Sequence, residues 1–216
     1  MFSSYCHLDT VQPKLMREVL KFWRAKGYKI VIYLDDGMGG AATLHAAKYM
    51  SLEAKKDLEN LGFLIAADKS HWEPVQELVW LGFIWDMISN KIMVTLPRVE
   101  KLKGCIKNVL EGYDSGYIWF EVRTIASVVG QIISMQTVLG DDVRLRTRYL
   151  HYCILNRSSW NSDIRLSKEA VSELRFWASS VEEMNKKGTS LSQLTESDVD
   201  KVVFIVMLRI RVLEVI

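Results

Sequence analysis

The sequence predicts an α+β protein: a small antiparallel sheet with helices, followed by a mainly helical domain. Three observations predict it. Ile30 to Leu34 form an apolar, largely β-branched run that drives into Asp35-Asp36-Gly37, as a buried strand entering a turn does. Strand-length apolar runs recur as far as Leu96, and beyond Pro97 the apolar residues fall at helical spacing instead. Apolar residues at 49% and charged residues at 25% of 216 positions supply a real core, for one domain or two small ones.

Residues 1–12 show no clear period. Residues 13–26 read as a helix, with Leu15, Met16, Val19, Leu20 and Trp23 at three-and-four spacing and Gly27 ending it. The acidic hairpin follows. Asp35-Asp36-Gly37 is good turn chemistry, and Gly39-Gly40 adds freedom for chain reversal. Residues 41–60 read as a second helix closed by Gly62. Residues 62–70 read as a short strand delivering Lys69 at its end, and Pro74 breaks the chain. Residues 78–85 and 92–96 then make a second hairpin about a turn at 89–91. Beyond Pro97, helices are expected over 98–111, 121–139, 142–155 and 167–184, the second packing closely around Gly130. The polar stretch 185–200 reads as a linker, and 201–216 turns apolar without caps or turn signals.

A net charge of +2 does not announce a nucleic-acid binder, so any basic surface must be local. Cys6, Cys105 and Cys153 are an odd number, match no zinc spacing and read as reduced thiols. The four histidines are too scattered for a metal cluster. With no apolar run of transmembrane length and no signal peptide, a soluble intracellular protein away from membranes is expected, nuclear or cytoplasmic.

The acidic pair admits two readings: a hairpin whose tip happens to be charged, or carboxylates held at fixed depth by a strand, as divalent metal binding requires. Tyr33-Leu34-Asp35-Asp36 resembles the Tyr-X-Asp-Asp motif of reverse transcriptases. Three further segments resemble that family in the same order. Gly62-Phe63 through Lys69-Ser70 is similar to the motif ending in a lysine beside the active site. Trp80-Leu81-Gly82-Phe83 is similar to the primer grip. Leu96-Pro97 through Lys101, with Ala126-Ser127-Val128-Val129-Gly130-Gln131, is similar to the thumb of retrotransposon polymerases of the DIRS type or gypsy-like kind.

The resemblance implies that residues 1–96 are part of a polymerase palm, 97–200 a helical thumb or connection, and the whole a fragment of an RNA-directed DNA polymerase. It implies that Asp35 and Asp36 are catalytic and bind Mg²⁺, and that Lys69 protonates the departing pyrophosphate. Tyr33, Trp80, Leu81, Gly82 and Lys101 would touch nucleic acid, the partners being an RNA template and a DNA primer. Lys103, Lys107, Arg144, Arg146 and Arg148 are further candidates for phosphate contact, against the plainer reading of solvated helix faces. For Trp80 and Leu81, ordinary strand packing is the competing account, and for Lys69 an exposed surface charge.

The family also needs an aspartate from an earlier palm strand, and fingers, which the residues before Pro13 have no room to supply. The fragment is therefore expected to be inactive alone. The alternative is a non-enzymatic mobile-element remnant with at most weak nucleic-acid binding. In the family, a ribonuclease H domain begins near residue 205 with an Asp-Ala-Ser motif. One choice of codons for Ile205 to Ile216 gives Cys-Asp-Ala-Ser-Asn-Thr-Gly-Phe-Gly-Gly-Tyr in a shifted frame. A frameshift near Phe204 is thus expected to have replaced that domain with a tail, 201–216, never selected to pack.

Overall fold

The computed structural model describes residues 5–194 and 204–211. It is mixed α and β with small antiparallel sheets, and it divides into two compact units. The first holds the residues up to Leu81, Trp85–Asn90 and the C-terminal segment from Thr195; the second holds Gly82–Ile84 and Lys91–Leu194.

In the first unit, helix α1 (Tyr5–Ala25) starts well before Pro13, the expected first residue. Strands β1 (Lys29–Tyr33) and β2 (Asp36–Ala41) form the hairpin. Helix α2 (Leu44–Asn60) starts later than expected because Ala41 still belongs to β2, and Thr43 caps it through the Ala46 N–H at 3.2 Å. Alternation along β1 turns Ile30 and Ile32 toward the helices and leaves Val31 and Tyr33 on the open face. The core beneath the sheet joins Met16, Val19 and Trp23 of α1 with Ile30 and with Met50, Ala54 and Leu58 of α2. Trp23 is fully buried, and its Nε1–H donates to Asp57 at 2.9 Å, so the indole is packed and satisfied.

The strand expected over 62–70 shrinks to β3 (Leu64–Ile65). Pro74 does not break the chain but lies within β4 (His71–Val75). The run 78–85 divides into β5 (Glu77–Trp80) and β6 (Phe83–Asp86), because Leu81 and Gly82 both take positive φ, 51° and 77°.

The tail is the largest correction. Among the described residues, Phe204–Arg211 is β11 and lies in the middle of the first unit's sheet, between β2 on one side and β4 with β3 on the other. Ile205, Val206 and Leu208 are each 1% exposed, so this segment packs. The glycines of β2 make room for it. A Cβ at Gly37 would run into Leu208 Cδ1, and one at Gly39 would meet Val206 Cγ2 at 3.4 Å. Those glycines were expected to serve chain reversal; they serve close strand packing. Residues 195–203 and 212–216 lie outside the described residues.

The second unit is mainly helical. Strand β7 (Lys91–Val94) leads into α3 (Leu96–Asp114), and α4 (Val122–Ser134), α5 (Gln136–Leu139), α6 (Asp142–Leu145), α7 (Arg148–Leu155) and α8 (Lys168–Lys187) follow. The helices expected over 121–139 and 142–155 are each broken in two. Leu102, Ile106, Ile125, Ile132, Leu150, Leu174 and Trp177 build its core, all almost wholly buried. Gly130 is exposed, with open space where a Cβ would stand, so the close helix packing expected there is absent. A ribbon of β8 (Trp119–Glu121) and β9 (Asp163–Arg165) was not foreseen. The stretch read as a linker begins inside α8 and continues as β10 (Thr189–Ser190), paired with β7. Among the described residues no helix is long and apolar enough to cross a membrane.

Candidate functional site

The hairpin closes in two residues. Tyr33 pairs with Asp36 across the strands, leaving Leu34 and Asp35 as the turn. Leu34 takes φ +56° while Asp35 is not among the positive-φ residues, which is the II′ pattern usual for tight hairpins. Glycine is the residue that this position favours, so leucine there costs about 1 kcal/mol of backbone strain. Tyr33 is 59% and Leu34 80% exposed, and Asp35 is exposed as well. The tip thus presents an aromatic ring, an aliphatic side chain and a carboxylate to solvent.

Asp36 differs from its neighbour. It is the first residue of β2 and sits opposite Arg209 of β11 in the register. Both carboxylate oxygens are engaged: Arg209 Nε–H donates to Oδ1 and Nη2–H donates to Oδ2, the latter at 2.6 Å. The Asp36 side chain is only 14% exposed. The hydrogen bond from Arg209 to Asp36 raises the arginine's pKa; partial burial opposes this, and the charges of Asp36, Asp35 and Asp68 add to it.

The backbone of Arg209 also fastens the Lys69 loop beside the hairpin. Its carbonyl accepts from the Ala66 N–H at 2.9 Å, and its N–H donates to Ser70 Oγ at 3.0 Å. Lys69 itself is exposed, in a turn where its N–H donates to the Ala66 carbonyl at 3.1 Å. The fold therefore gathers Asp35, Asp36 and the Lys69 loop at one end of the sheet. Arg209 and Ser70, which hold them there, had no signal in the sequence: Arg209 and Asp36 are 173 positions apart.

The other candidates are placed differently. Trp80 is 8% exposed, packs on Trp85 with ring centroids 5.9 Å apart, and accepts at its carbonyl from the Trp85 indole at 3.3 Å. Its burial matches the strand-packing account. Leu81 is 39% exposed. Gly82 lies against the Arg98 side chain, whose guanidinium donates to the Gly82 carbonyl at 3.1 Å. Lys101 is exposed on α3, whereas Lys103 pairs with Glu182 at 2.5 Å and Lys107 with Glu111 at 3.6 Å. Arg146 stacks on Phe176 and Arg148 on Tyr152, 4.7 and 5.7 Å from the ring centroids.

No family model, curated protein or solved structure matches the chain. The donor set tests the expected Mg²⁺ directly. Two ions sharing a site need several hard oxygen ligands. Here one carboxylate faces solvent and the other is held by a guanidinium, and among the described residues no group of three His, Cys, Asp or Glu is placed to share a metal. As arranged, these residues do not fit a Mg²⁺ pair.

Proposed function

We propose that the chain is a fragment of a retrotransposon reverse transcriptase of the DIRS type or gypsy-like kind, residues 1–96 being part of a palm and 97–200 a thumb or connection. The observation that carries this reading is the placement of Tyr33-Leu34-Asp35-Asp36 on a tight hairpin backed by α1 and α2, with the Lys69 loop fastened beside it. In this reading Tyr33 and the exposed tip face a primer–template of DNA and RNA. Asp35 and Asp36 would be part of a carboxylate set for Mg²⁺ that needs a further aspartate to be complete.

The chain alone is expected to give no primer extension on an RNA template with Mg²⁺ or Mn²⁺. Extension that Asp35→Asn abolishes would overturn that expectation. The coding DNA tests the assignment itself. An upstream frame encoding a further strand-borne aspartate is expected, and its absence overturns the assignment.

A second reading is a mobile-element remnant that binds nucleic acid weakly without catalysis. The exposed Arg144 on α6, Arg146 just after it and Arg148 on α7 favour it, two of them already stacked on aromatic rings. Such binding through phosphates weakens steeply as salt rises. Binding indifferent to salt would count against it.

A further inference from the structure

The register that seats β11 does two things at once. Leu208 and Val206 cover Gly37 and Gly39 on the helix side of the sheet. Side chains alternate along a strand, so Arg209 must then emerge on the other face, opposite Asp36. Sliding β11 by one residue would bring Arg209 to the core face and expose Leu208, which the fit over Gly37 forbids. The Arg209–Asp36 contact is therefore specified by apolar packing and not by a chance encounter of two surface charges.

We infer that Arg209 is a built-in counter-ion that closes Asp36 to divalent cations, so that this chain holds its acidic hairpin in a self-inhibited state. The guanidinium binds both oxygens of Asp36, the atoms through which that carboxylate would have to hold a cation. It competes as a tethered ligand, present at high effective concentration whatever the metal concentration. Strand β11 need not leave the sheet for the site to open. The Arg209 side chain is one-third exposed, so swinging it to solvent breaks one ion pair and leaves Ile205, Val206 and Leu208 buried. This rests on the reading of Asp35 and Asp36 as metal-binding carboxylates and adds how that binding is controlled.

The test uses Mn²⁺ as probe and the full chain in four forms: unsubstituted, Arg209→Gln, Asp36→Asn and the double variant. Free Mn²⁺ is measured by electron paramagnetic resonance, and urea unfolding of all four gives the coupling between the two residues. Arg209→Gln is expected to bind Mn²⁺ at least about tenfold more tightly than the unsubstituted chain, a gain the added Asp36→Asn removes. The cycle is expected to show coupling. Absence of coupling, or equal Mn²⁺ affinity with and without Arg209, overturns the closing role while leaving the metal reading standing. Clear coupling with no Mn²⁺ bound by any form sinks the metal reading and the closing role with it. Where Arg209→Gln does not fold, the Arg209 Nε–H resonance of the unsubstituted chain gives the answer. Its loss to paramagnetic broadening at low Mn²⁺ overturns closure. Its persistence at low Mn²⁺ followed by broadening at millimolar Mn²⁺ supports closure, and persistence throughout with no Mn²⁺ bound sinks the metal reading.

Discussion

Glu53 accepts a hydrogen bond from Lys26 Nζ at 2.9 Å and another from Tyr28 Oη at 3.3 Å. The bond from Lys26 is the main cause holding its carboxyl below the ordinary value of 4.5; partial burial pulls the other way. A depressed folded pKa means that the contribution to stability is complete above 4.5 and is lost as pH falls through the lower folded value. Urea midpoints measured across that acidic window should therefore fall more for the unsubstituted chain than for Lys26→Met. Equal slopes would remove Glu53 from the account of acid sensitivity. Glu173 is a second carboxylate with a structural task. It is 6% exposed and accepts the Tyr149 and Leu150 N–H groups, both at 3.0 Å, in the first turn of α7. Those donors have no partner within their helix, and Glu173 also complements the positive end of its dipole. Glu173→Ala should cost roughly 2–4 kcal/mol, read as a drop in unfolding free energy by urea. Nothing in the sequence distinguished Glu173 from the exposed glutamates of α8, because what identifies it is a neighbour two dozen positions away.

The pairing of β2 with β11 is the element-scale feature on which the candidate site depends. Gly37→Ala would set a Cβ against Leu208 Cδ1 and within 3.1 Å of Ile32 Cγ1, both in the packed layer beneath the sheet. A loss of about 2–3 kcal/mol in unfolding free energy is expected. Leu208→Ala in the same chain should recover part of it, since the smaller side chain vacates the space the new methyl needs. Gly39→Ala should cost less, because its nearest neighbour, Met50 Cε at 2.8 Å, is the end of a flexible side chain. If Gly39→Ala proves the more damaging, the register of β11 on β2 is wrong. Period alone showed that 30–34 was a strand and that a tight reversal followed. It did not show that Asp36 to Ala41 was the partner strand, since five residues of aspartate, glycine and methionine look like turn material until something lies across them. The helix α4 shows the opposite case: Val122, Ile125, Val129 and Ile132 fall at helical spacing, and that stripe is the buried one.

At the scale of the molecule, the first unit draws on both ends of the described chain. Deleting 204–216 would remove the middle strand of its sheet and expose the apolar faces that Ile205, Val206 and Leu208 cover. Hydrogen exchange after that deletion should show protection lost in β1, β2 and α2 and retained in α3, α4 and α8. Unchanged protection of β2 would restore the view of this segment as an unpacked tail. The same experiment bears on the two units, since loss throughout would show that they do not fold separately.

The α+β class, the acidic hairpin and the helical character after Pro97 were legible in the sequence, because each rests on local period or turn chemistry. The exposure of Tyr33 and Leu34 was not: the run 30–34 reads as a buried strand, but the chain already turns at Leu34-Asp35, which lifts the end of the run into solvent. Only the tertiary structure decided the partner of Asp36, the use of Gly37 and Gly39, and the place of β11. Each is a contact between segments far apart in the chain, fixed by which side chains fill a shared space. A one-dimensional pattern records the faces that a strand offers, and the choice of what covers them belongs to the packed whole.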